Sequence, residues 1–66
     1  VKLLFHRVVF VKPGLRGHWL VTDKNGLVAA ITQIGDEYTV SFSDKRPEQI
    51  YLSFLRAKKA VEKVYA

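Results

Sequence analysis

From His18 to Ser43, large apolar side chains recur at every second position, and two turn signals interrupt the pattern. The segments HWLVT and LVAAITQI flank Asp23-Lys24-Asn25-Gly26, a hairpin signal, and YTVSFS follows Gly35-Asp36-Glu37, a second tight turn. The two turns constrain each other. A Lys24-Asn25-Gly26 loop closed by a bulge at the glycine sets Asp23 opposite Leu27 and Trp19 opposite Ile31. A Gly35-Asp36 loop sets Ile31 opposite Val40 and Ala29 opposite Phe42. One face then carries Trp19, Val21, Leu27, Ala29, Ile31, Tyr38, Val40 and Phe42 and reads as a core face. The other carries His18, Leu20, Thr22, Val28, Ala30, Thr32, Thr39, Ser41 and Ser43, and is small and rich in hydroxyls. A slip by one residue would exchange the two sets, so the pattern itself specifies the register.

Before this meander, residues 3–12 are rich in β-branched and aromatic side chains and predict another strand. Pro13-Gly14 fits the central positions of a type II turn, where proline fixes φ and glycine accepts the positive one. Alternation is poor in that segment, so both of its faces are expected to be partly covered. Gly14, Gly17, Gly26 and Gly35 all read as turn glycines.

After the meander, Gln49–Leu52 reads as a short strand or an extended lead-in, and Ser53 as a helix N-cap. Apolar positions 54, 57, 60, 61, 64 and 65 then recur at helical spacing. They predict a helix that lays Phe54, Ala57, Val61 and Val64 on the Trp19/Ile31/Phe42 face. Arg56, Lys59 and Lys63 point the other way. The expected fold class is therefore α+β: a small antiparallel β-sheet of four or five strands, over about 3–12, 18–23, 27–34 and 38–43, capped by a C-terminal α-helix over about 54–65. An SH3-like barrel closed by the N-terminal strand is the competing arrangement.

Composition narrows the range of functions. With 66 residues the chain makes one small domain, which buries only about 60% of its unfolded surface. It has no cysteine, so neither a disulfide nor a cysteine-ligated zinc can staple it. A second copy is one way for such a domain to gain burial. No apolar run approaches a membrane span, and His6 and Arg7 break the apolar opening, so no membrane partner and a cytoplasmic location are expected.

The formal net charge of +5 is unevenly spread. Residues 1–17 carry Lys2, Arg7, Lys12 and Arg16 without an acid. Residues 53–66 carry Arg56, Lys58, Lys59 and Lys63 against Glu62, while residues 18–52 hold more acids than bases. An anionic partner should therefore meet the two ends of the chain. Lysines at the end of a helix also favour its dipole and solvate an outer face, which is the simplest account of Lys59 and Lys63. The acid-free N-terminal segment shifts the expectation toward nucleic acid, DNA in the first place. Lys2, Arg7, Lys12, Arg16, Arg56, Lys59 and Lys63 would contact phosphates. Thr22, Thr32, Thr39 and Ser41 offer sheet-face contacts, since strands can read base edges in a major groove.

The stretch GHWLVTDKNGLVAAITQIGDEYTVSF followed by FLRAKKAVEKVY resembles, in its strand–strand–strand–helix layout, the arm-type DNA-binding domains of tyrosine recombinases. The likeness spans roughly residues 17–65 and is one of layout, without a diagnostic motif. It implies DNA contact through the sheet. The additional N-terminal strand, the acids Asp36, Glu37 and Asp44, and a sheet face with few bases depart from that pattern. The function expected is a non-catalytic, nucleic-acid-binding accessory module of a phage or other mobile element. The alternative is a protein-interaction module, dimeric, that pairs through an edge or N-terminal strand. Gln49-Ile50-Tyr51 matches a short substrate-binding segment of the small plasmid-borne dihydrofolate reductases, but the surrounding chain does not follow them. His6 and His18 are too few for a metal site, and no catalytic constellation stands out, so neither an enzyme nor a cofactor is expected.

Overall fold

The computed structural model describes residues 2–8 and 15–65. Strands β1 (Leu4–Arg7), β2 (Leu15–Asp23), β3 (Gly26–Ile34), β4 (Glu37–Phe42) and β5 (Gln49–Tyr51) precede helix α1 (Phe54–Tyr65). The strands form one antiparallel sheet in chain order, β1-β2-β3-β4-β5, with α1 on one face. β1 and β5 lie at opposite edges, so among the described residues the sheet is open and no barrel closes. The expected strand over 3–12 is described only as far as Val8, whose N–H continues the ladder by donating to the His18 carbonyl at 2.8 Å. The Pro13-Gly14 turn lies outside the described residues.

The β3–β4 hairpin has the expected register. Ile31 faces Val40, Ala29 faces Phe42, and Gly35 takes φ +60° in the turn. The β2–β3 hairpin keeps Trp19 opposite Ile31 but closes differently. Asp23 pairs with Gly26, leaving Lys24-Asn25 as a two-residue turn. The Asp23 carboxylate accepts from the Asn25 N–H at 2.7 Å, and Gly26 takes φ +121°. This local side-chain bond tightens the loop. The extra residue moves up the strand to Val28, where the register shifts between Val21 and Thr22. Two residues, Val28 and Ala29, then lie over the core side. Leu27 therefore leaves the expected core face and is 53% exposed, while Val28 joins the core at 8%.

Val21, Val28, Ala29, Ile31, Val40, Ala57 and Val61 form the buried core of the described residues. An aromatic cluster closes one end: the Trp19 ring lies 4.6 Å from Phe54 and 6.2 Å from Tyr38. Such pairs contribute about 0.5–1.5 kcal/mol beyond their burial. At the other end Tyr65 stacks near Phe42 and donates its hydroxyl to the Val28 carbonyl at 3.2 Å. That carbonyl also accepts from the Ser43 N–H at 2.9 Å, so the bulge anchors both the sheet and the end of the helix.

The helix begins as expected, with Ser53 Oγ accepting from the Arg56 N–H at 3.1 Å. Its roll differs from the expected stripe. Ala57 and Val61 are buried and Tyr65 packs on the core, while Val64 is rotated to the rim and is 38% exposed. Gly17 is likewise not a turn glycine. It sits within β2, and a Cβ there would meet the Trp19 ring at 2.6 Å.

Candidate nucleic-acid interface

The two faces of the sheet differ in charge. On the helix side, aromatic rings of the sheet hold three cations, Arg7, Lys58 and Arg46, the last of them paired with Asp44. The Arg7 guanidinium lies 5.9 Å from the Trp19 ring centre, and the Lys58 ammonium 5.2 Å from that of Phe5. Each contact contributes about 0.5–1 kcal/mol at an exposed position. Trp19 packs on Phe54 in the first turn of α1, and Lys58 reaches β1 from the second turn. The edge strand and the helix are thereby tied together, which brings Arg7 to the same side as Arg56, Lys59 and Lys63. Those three are exposed on the outer surface of α1. Five cations, Arg7, Arg56, Lys58, Lys59 and Lys63, thus share the helix side with one helical acid, Glu62.

Of the remaining expected phosphate contacts, Arg16 does not join them. Arg16 lies at the irregularity between Leu15 and Gly17 and pairs with Asp36 at 3.5 Å. Both groups are well exposed, so the pair contributes about 0–1 kcal/mol. Lys2 is exposed ahead of β1, and Lys12 lies outside the described residues.

Reasoning from the sequence passed over two basic residues. Lys58 falls at the margin of the helical stripe, one turn after Phe54, and that spacing could have placed it over the sheet. Arg46 had no such signal. It stands 5.7 Å from the Phe42 ring centre and 5.8 Å from that of Tyr65, with its Nε 3.1 Å from Asp44. With Lys63 it flanks a cleft of about 320 Å³ over Phe42, Tyr51, Ala60 and Val64.

No described element covers the opposite sheet face. Four rungs cross it: Leu4–Thr22–Leu27, then His6–Leu20–Ala30–Ser41, then His18–Thr32–Thr39–Ile50, then Leu15–Ile34–Glu37. Thr22, Thr32, Thr39 and Ser41 therefore do lie together on one surface. Two of them already have partners: His6 Nε2 bonds Thr22 Oγ1 at 2.9 Å and His18 Nδ1 bonds Thr32 Oγ1 at 3.1 Å. No lysine or arginine occupies any of these rungs.

Among the described residues no three metal-ligating side chains converge, and no helix is long and apolar enough to cross a membrane. No protein-family model matches the sequence, and neither a curated protein nor a solved structure matches it.

Proposed function

We propose that this chain is a non-catalytic module that binds nucleic acid, DNA in the first place, by gripping the phosphate backbone with its helix side. The observation that carries the reading is the pair of ring contacts, Lys58 over Phe5 and Arg7 over Trp19. They place an N-terminal cation beside a helix whose outer surface is already basic. Among the described residues the ion pairs are Arg16–Asp36 and Arg46–Asp44, which leaves the five helix-side cations available to phosphates. Ring contacts fix the side-chain stems of Arg7 and Lys58 beforehand, so less conformational freedom is lost when phosphate binds.

The sequence layout that resembles arm-type recombinase domains implies the same class of ligand but the other face. A sheet face without lysine or arginine on its rungs lacks the counter-charges that dominate affinity for duplex DNA. The proposal therefore assigns the grip to Arg7, Arg56, Lys58, Lys59 and Lys63. Fluorescence anisotropy with a short duplex at low salt tests it. Lys59→Glu with Lys63→Glu should weaken binding by at least about tenfold while circular dichroism stays unchanged. Undiminished binding by this double variant would refute the assignment to the helix side.

A further inference from the structure

The sheet face that no described element covers calls for an occupant. Leu4, Leu27, Ile34 and Ile50 are each about half exposed or more, and all four lie on this side of the sheet. An antiparallel sheet that faces water normally shows polar side chains there, and apolar patches of this kind mark contact surfaces.

We infer that this face packs against the same face of a second copy, sheet on sheet, with the two basic helices on the outside of the pair. Charge selects this occupant. In a chain of net charge +5 the four rungs of the face carry no lysine or arginine and a single acid, Glu37, at one end, so two copies can approach through it without opposing cations. The same lack of cations disfavours nucleic acid here.

Two of the four hydroxyls of the face are already satisfied. His6 and His18 each bond a threonine on the neighbouring strand, so the hydroxyls of Thr22 and Thr32 need no water when covered. Size is sufficient as well. The molecule measures 32 × 21 × 21 Å. A face of that outline offers about 500–600 Å² a copy, so a pair buries roughly 1,000–1,200 Å², at the lower end of specific interfaces. Pairing by the β5 edge is less favourable, because that strand has three residues.

Sedimentation equilibrium at about 100 µM, above the micromolar range expected for an interface of this size, tests the inference without any nucleic acid. The wild-type chain should sediment as a dimer of twice its 7.5 kDa mass. Leu27→Lys combined with Ile50→Lys should raise the dissociation constant at least about 100-fold with an unchanged circular dichroism spectrum. If the double variant unfolds, Ile50→Lys alone, at an edge position 61% exposed, gives the same readout. Leu55→Lys, on the helix and equally exposed, should leave the dimer intact. A monomeric wild-type chain overturns the inference. So does a dimer that Leu55→Lys disrupts and the sheet-face variants do not.

Discussion

Gly17, read as a turn glycine from the sequence, shows how a contact two positions along the chain can set a residue's role. Its position before a strand suggests a turn, yet it lies inside β2, where the Trp19 indole folds back over the backbone. The cause is invisible along the chain, because it depends on the side-chain direction of a residue two positions on. Gly17→Ala should destabilise the domain by about 1–3 kcal/mol, the usual cost of overpacking, in a urea unfolding series. Ser53 is the opposite case. A hydroxyl before a helical apolar pattern is a local signal, and the bond to the Arg56 N–H has the expected geometry. Ser53→Ala should cost about 1 kcal/mol, measured by thermal unfolding.

The elements themselves were largely legible, because periods of 2 and 3.6 leave a trace in any half-buried segment. The β3–β4 hairpin and the helix follow from that trace. The β2–β3 hairpin shows its limit. Trp19 opposite Ile31 was readable from the alternation, but where the bulge sits was not. Both closures keep that pair and differ only in whether Leu27 or Val28 enters the core. The Asp23–Asn25 bond and the double use of the Val28 carbonyl decide it. Val28→Asp should abolish folding by circular dichroism, whereas Leu27→Asp should leave a folded domain. The closure expected from the sequence would reverse that order. Helix roll escaped the sequence for a related reason. Six apolar positions define a broad stripe, and only the contacts of Lys58 with Phe5 and Tyr65 with Val28 select the orientation that leaves Val64 at the rim.

For the whole molecule, the two faces divide the chemistry. Charge blocks at both ends of the chain were plain in the sequence, but whether they meet depends on topology. The open meander brings Arg7 to the helix while Arg16 turns toward Asp36. The hydroxyl-rich surface was also foreseen as a surface, with its four residues on neighbouring strands. Its lack of basic rungs sets it apart from the helix side, so the proposed reading keeps the basic helix and gives up the sheet-face contacts. Binding by phosphate contacts has a quantitative signature in salt. Five contacts to duplex DNA correspond to a slope of about −4 to −5 in log K against log salt concentration, a loss of several hundred-fold between 50 and 200 mM. The most direct measurement is therefore an anisotropy titration of the wild-type chain with a duplex across that range. The proposed helix-side grip predicts a slope in that interval; no binding at the low-salt end, or binding insensitive to salt, would contradict it.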